Sequence, residues 1–161
     1  MGYPVSDLVG RVEAPPIAEA MSWVRQGPRN RDLINLCQAV PSYPPAPELQ
    51  QEFGRIALQP GTGGYTDIYG LAALREAYAG HLGADYGAKV AANHVAITTG
   101  CNQAFAAAVM SVAKAGDDVV IPVPYYFNHQ MWLTMLGIGL NTIPAFAEGR
   151  SHPSAEDAAK A

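Results

Sequence analysis

Between residues 95 and 145 the chain alternates short β-branched runs with longer helical stretches, and most of the joints carry glycine. Val95-Ala96-Ile97-Thr98 leads through Thr99-Gly100-Cys101-Asn102-Gln103-Ala104 into a small-residue apolar stretch that ends near Ala113. Gly116-Asp117-Asp118 then precedes a second β-rich run, Val119-Val120-Ile121-Pro122-Val123, which delivers Pro124-Tyr125-Tyr126. The pattern predicts strands at 95–99, 119–123 and about 140–145, with helices at 101–114 and about 128–137 between them. Strand–helix–strand order with short connections is the signature of an α/β fold with a mainly parallel sheet. A glycine turn that opens a helix also aims the unpaired N–H groups of the first helical turn at one point, where an anion can sit. The second strand brings flat aromatics to the same edge, so the pattern suits a ligand with a phosphate and a planar ring.

Composition narrows the classes. Of 161 residues, 49% are hydrophobic and only 15% charged, enough apolar matter for a core and too little charge for a disordered chain. A net charge of −4 with scattered Lys and Arg offers no basic stripe, which argues against nucleic acid or an anionic membrane as partner. No run approaches the roughly 20 apolar residues of a membrane span, and Asp7 interrupts the N-terminus where a signal peptide needs an apolar stretch. Cys37 and Cys101 share no metal-ligand spacing and the four histidines are dispersed, so no metal site is expected. Both thiols are expected to be reduced, in a cytoplasmic setting.

Organisation shifts near residue 60. Before it, Pro15-Pro16 suits a helix start with Ile17, Met21 and Val24 on one side. An extended piece over Arg31–Cys37 follows, then the proline-rich Pro41-Ser42-Tyr43-Pro44-Pro45-Ala46-Pro47, rigid enough to line a wall. Glu48 to Leu58 reads as a helix, and Pro60-Gly61-Thr62-Gly63-Gly64 as a loop. Leu71 to Leu82 is the clearest amphipathic helix, with Leu71, Leu74, Tyr78 and Leu82 on the expected inner face and Gly83 as its expected C-cap. The segment from Ser154 to Ala161 is Ala-rich and expected to be weakly structured.

Several residues invite sharper readings. Cys101 at a helix N-terminus has the setting of a stabilised thiolate, yet no His or acid is placed to serve it as a nucleophile. Asp117-Asp118 fits a turn cap better than a metal site. Gly100-Cys101-Asn102-Gln103-Ala104 lacks the repeated glycines of Gly-x-Gly-x-x-Gly, which disfavours a dinucleotide-binding domain.

Five segments, taken in order, resemble the N-terminal part of a fold-type I pyridoxal-phosphate enzyme of the class I/II aminotransferase family. They are Ile34-Asn35-Leu36 through Pro41-Ser42-Tyr43-Pro44; Tyr65-Thr66-Asp67-Ile68-Tyr69-Gly70-Leu71 with Leu74-Arg75; the Gly100 turn; Gly116-Asp117-Asp118-Val119-Val120; and Pro124-Tyr125-Tyr126. The resemblance implies that residues 1–60 contribute to a small domain and a substrate-pocket wall. Residues 61–161 then form the N-terminal part of the cofactor-binding large domain. It further implies that the strand at 95–99 is separated from the next two by strands that come later in the family's chain.

Residue by residue, the resemblance implies that Gly100, Cys101 and Asn102 hold the phosphate of pyridoxal 5′-phosphate and that Tyr126 stacks on its ring. Tyr65 would reach toward the cofactor of a partner subunit in a homodimer. Ala39 and Val40, in the segment Gln38-Ala39-Val40, would line the substrate carboxylate pocket; Ala39 stands where the family usually has glycine, which narrows that pocket. The implied activity is amino-group transfer between an amino acid and a 2-oxo acid. The alternatives are another reaction of the same cofactor, such as carbon–sulfur lysis or decarboxylation, and a non-catalytic piece. No catalytic residue is assigned, because the chemistry needs a lysine that forms a Schiff base with the cofactor aldehyde. None of Lys89, Lys114 and Lys160 is expected to be that lysine: the resemblance implies that it lies beyond residue 161, and the Ser-x-x-Lys spacing of Ser111-Val112-Ala113-Lys114 falls at the end of the helix expected over 101–114. The expectation is therefore an N-terminal half that is inactive alone.

Overall fold

The computed structural model describes residues 3–27, 32, 34, 36, 40–146 and 149–161. In chain order its elements are α1 (Asp7–Gly10), α2 (Pro16–Gln26), α3 (Pro47–Ala57), α4 (Ala72–Tyr86), a 3-10 turn at Ala92–His94, α5 (Cys101–Val112), β1 (Asp118–Val123), α6 (Phe127–Leu136), β2 (Gly139–Pro144) and α7 (Ala155–Lys160). The chain forms two compact units, one of Met1–Arg29 with Thr99–Ala161 and the other of Asn30–Thr98.

The first unit is built on β1–α6–β2. The two strands pair in parallel, with Asp118 opposite Gly139 and the register running to Val123 opposite Pro144. A parallel pair needs a crossover, and α6 supplies it. Val109 from α5, Ile121 from β1, Leu133 from α6 and Ile138 from the turn after α6 form the core, and Leu133 is completely buried. The turn places Ile138 there because Gly137 adopts a left-handed cap, after which Ile138 N–H donates back to the Leu133 carbonyl at 2.9 Å. Gly139 N–H then donates to the Asp117 carbonyl at 2.8 Å, which starts both strands level. Ile17, Met21 and Val24 of α2 are all half-buried, as the proline-led helix start predicts.

The second unit holds α3, α4 and the 3-10 turn. Arg75 of α4 is half-buried and donates from Nε to the Gly70 carbonyl at 3.1 Å and from Nη1 to the Ala92 carbonyl at 3.5 Å. Gly70 has φ +91°, and a Cβ there would lie 2.7 Å from Cβ of Ile97, so only glycine lets these two segments touch. Ile97 N–H donates to the Tyr69 carbonyl across that contact.

Four expectations are corrected. Residues 95–98 are extended but are not a strand: the sheet among the described residues contains β1 and β2 alone. Extended backbone becomes a strand only when a neighbour offers a ladder, and here the bond to Tyr69 replaces it. Helix α4 runs past Gly83 to a left-handed cap at Gly87. Gly83 is instead a point of close approach, since a Cβ on it would lie 2.9 Å from the Ala88 carbonyl oxygen. The inner face of α4 is also only partly the one read from periodicity, sharing Leu82 with it. Ala79 is buried and Arg75, Leu82 and Gly83 are half-buried, whereas Leu71, Leu74 and Tyr78 are exposed. Small residues allow the chain after α4 to fold back closely, which the larger apolar side chains would prevent. Finally, Ala155–Lys160 is helical, capped by reciprocal hydrogen bonds between Ser154 and Asp157. The expected extended piece at Arg31–Cys37 lies largely outside the described residues.

Candidate functional site

Helix α5 begins directly after Gly100, whose φ of +85° and ψ of 171° are a conformation essentially reserved for glycine. The first bond back to the turn is from Ala104 N–H to the Gly100 carbonyl, at 3.4 Å. The N–H groups of Cys101, Asn102 and Gln103 therefore have no intrahelical acceptor and carry the positive end of the helix dipole. No acidic residue occupies the first turn of α5 or of α6, so nothing there repels an anion. The Gln103 side chain closes the turn from behind, its Oε1 accepting from Thr99 N–H at 2.6 Å. Sequence reading missed this contribution, although glutamine at the third helical position is a recognisable capping signal.

Beyond the end of β1, whose Val123–Pro124 peptide is cis, the two tyrosines diverge. Tyr125 is half-buried, packs against the core and donates its hydroxyl to Gln130 Oε1 at 2.7 Å. Tyr126 is 44% exposed and immediately precedes α6. Asn128, which the sequence did not single out, links it to the turn. Its Nδ2 donates to Asn102 Oδ1 at 3.2 Å and to Tyr126 Oη at 2.8 Å. Around this bridge His129 meets the Tyr126 ring edge-on, with centroids 5.7 Å apart, and stacks on Phe105 of α5 at 4.2 Å. The starts of α5 and α6 are thus tied together, and Gly100, Cys101, Asn102 and Tyr126 share one neighbourhood.

Cys101 is an exposed free thiol. Tyr65 is fully exposed in the loop after α3, and Val40 is also exposed; both belong to the second unit. Ala39 lies outside the described residues. Asp117 acts as a turn cap: its carboxylate accepts from Lys114 N–H and from Lys114 Nζ, and these bonds, the backbone one first, hold its carboxyl below the usual aspartate range. No group of His, Cys, Asp and Glu suited to a metal occurs among the described residues. A separate cavity of about 360 Å³ opens between residues 11–19 and α6, lined in part by Arg11, Glu19, Phe127 and Gln130. Lys114 pairs with Asp117 and Lys160 with Glu156.

Residues 31–161 match the family model for aminotransferases of class I and II. The chain is 29% identical over 140 residues to an aspartate aminotransferase of Thermotoga maritima, covering 87% of this chain and 36% of that protein. It is 32% identical over 149 residues to a valine–pyruvate aminotransferase of Mycobacterium tuberculosis, covering 91% of this chain and 38% of that one. The crystal structure of an aminotransferase from Mycobacterium tuberculosis superposes with a TM-score of 0.83 at 28% identity, over 99% of this chain and 41% of the other. The chain thus spans about two fifths of the length of these relatives.

Proposed function

The chain belongs to the class I and II aminotransferase family, and from that premise we propose that the whole protein transfers an amino group between an amino acid and a 2-oxo acid. Pyridoxal 5′-phosphate is its proposed cofactor, and these residues are its N-terminal anchor. The observation that carries the reading is the Asn128 bridge, which links the Asn102 side chain at the start of α5 to the half-exposed Tyr126 ring at the start of α6, with no acidic residue in the first turn of either helix. That donor set fits a phosphate beside a flat ring. When bound, the cofactor supplies an electron sink for charge developing on the amino acid. The chain's own part is binding and orientation. The N–H groups of Cys101, Asn102 and Gln103 and the Asn102 amide would hold the phosphate, and the Tyr126 ring would stack on the pyridine and keep water from it.

The 161 residues by themselves are proposed not to transaminate. Among their lysines, Lys114 and Lys160 are held in ion pairs. The intact protein is proposed to be a cytoplasmic homodimer, with Tyr65 contributing to the partner's site and the segment of Ala39 and Val40 to the substrate pocket. No helix among the described residues is long and apolar enough to cross a membrane.

The test is saturable binding of pyridoxal phosphate to the purified chain, followed by tryptophan fluorescence and cofactor absorbance. Tyr126→Ala is expected to weaken binding roughly 2- to 12-fold, the worth of one aromatic stack at about 0.5 to 1.5 kcal/mol. Tyr125→Ala is expected to act through stability instead. Equal loss at both positions, or none, would refute the stacking role. Turnover by the chain with a borohydride-reducible adduct on Lys89 or Lys114 would refute its assignment as an inactive anchor.

A further inference from the structure

We infer that Asn128 is a positioning residue: its side-chain amide sets the Tyr126 ring and the Asn102 side chain together, as a single receptor for a phosphorylated planar ring. The inference rests on the cofactor site proposed above and deepens it.

An asparagine amide has two N–H donors, and both of those on Asn128 are committed, one to Asn102 Oδ1 at 3.2 Å and one to Tyr126 Oη at 2.8 Å. Asn102 is the second residue of α5 and Asn128 the second residue of α6, so the bridge joins two helix starts 26 residues apart. Each bond has a consequence for a ligand. Donation to Oδ1 fixes which way the Asn102 amide is turned and leaves its Nδ2 as the end that donates to an anion. Donation to Oη makes the Tyr126 oxygen an acceptor, so the hydroxyl keeps its own proton to give. The tyrosine is then held at its hydroxyl by Asn128 and flanked by the near-perpendicular His129 ring, which is itself stacked on Phe105 with the two planes 16° apart. The Phe127 ring lies tilted against it with centroids 4.9 Å apart, and the tyrosine remains 44% exposed. A ring ordered before the ligand arrives does not have to be ordered by it, and immobilising one such side chain corresponds to about a 2- to 12-fold change in affinity. A plain inter-helix staple would need neither the shared nitrogen nor the hydroxyl of an exposed tyrosine.

The experiment titrates pyridoxal 5′-phosphate, and in parallel pyridoxal without its phosphate, into the full chain and four variants: Asn128→Ala, Asn128→Asp, Tyr126→Phe and the Asn128→Ala/Tyr126→Phe double. Urea unfolding is recorded for each. Asn128→Ala and Tyr126→Phe are each expected to weaken pyridoxal phosphate binding about 2- to 12-fold. The double variant should bind no worse than Asn128→Ala alone, because that single already removes the one bond that Tyr126→Phe removes, along with the bond to Asn102. Asn128→Asp should not rescue, since an ionised carboxylate donates nothing. Tyr126→Phe removes one oxygen from a half-exposed ring, so its unfolding midpoint should stay at the wild-type value while its affinity falls; it decides the matter if Asn128→Ala does not fold. The phosphate-free ligand should lose less in Asn128→Ala than the phosphorylated one, because the Asn102 arm serves the anion. Additive losses, or wild-type affinity in both singles, would overturn the positioning role and leave the cofactor site standing. A wild-type chain that binds pyridoxal phosphate without saturation would remove the site itself and this inference with it.

Discussion

Gly100→Ala isolates the backbone geometry on which the candidate site depends. At φ +85° and ψ 171° the turn occupies a region that L-residues avoid, and forcing alanine into it costs about 1 to 3 kcal/mol. A Cβ at this position would find nothing within 4 Å, so the cost contains no packing clash and comes from the backbone alone. Gly80 is the control. It lies inside α4, its Cβ would also meet open space, and its φ is not positive. Alanine there should instead stabilise its helix by about 0.5 to 1 kcal/mol. Two identical substitutions into empty space are thus expected to have opposite signs, decided by φ. The assay is urea unfolding. Both tryptophans, Trp23 and Trp132, belong to the same unit as Gly100, so their fluorescence reports the first substitution, and helical circular dichroism reports the second. With urea slopes of about 1 to 3 kcal/mol per molar, the Gly100→Ala midpoint should fall by about 0.3 to 3 M. Pyridoxal phosphate retention should fall with it, because relaxing φ re-aims the Cys101 and Asn102 amides. An unchanged or raised midpoint would refute the left-handed turn, and with it the convergence of those N–H groups.

Other outcomes follow from the same geometry. Leu133→Ala removes the one completely buried large side chain among the described residues and should cost about 2.5 to 5 kcal/mol in urea unfolding. Arg75→Met withdraws the donor to the Gly70 carbonyl and should speed amide exchange at Ile97, whose N–H bonds to Tyr69 across the same contact. Because its folded carboxyl is held low by Lys114, Asp117 adds stability that is complete above the ordinary aspartate pKa and lost as pH falls through the depressed folded value. Carboxyl NMR should show that low midpoint, and Asp117→Asn should flatten the acid limb of the stability curve.

Local chemistry written in the chain was enough to specify much of this protein. The β-branched run Val119–Val123, the glycine before Cys101, the proline pair at 15–16 and the alternation after residue 95 each identify an element without reference to any distant residue. The first helical turn after Gly100 also declares its own unpaired donors, because those follow from helix geometry alone. Three things were decided only by tertiary contact. Residues 95–98 are extended by propensity, but whether they form a strand depends on which neighbour offers hydrogen bonds, and theirs is Tyr69. Leu71, Leu74 and Tyr78 have a helix's apolar spacing, yet the buried face of α4 is the one with Ala79 and Gly83, where small residues admit the returning chain. The Asn128 bridge has no local signature. Its three residues fall on two helix starts that are remote in sequence, and only the packing of α5 against α6 brings their polar atoms within bonding distance. Periodicity reports what a segment is able to bury or bond; which partner it meets is a property of the folded chain.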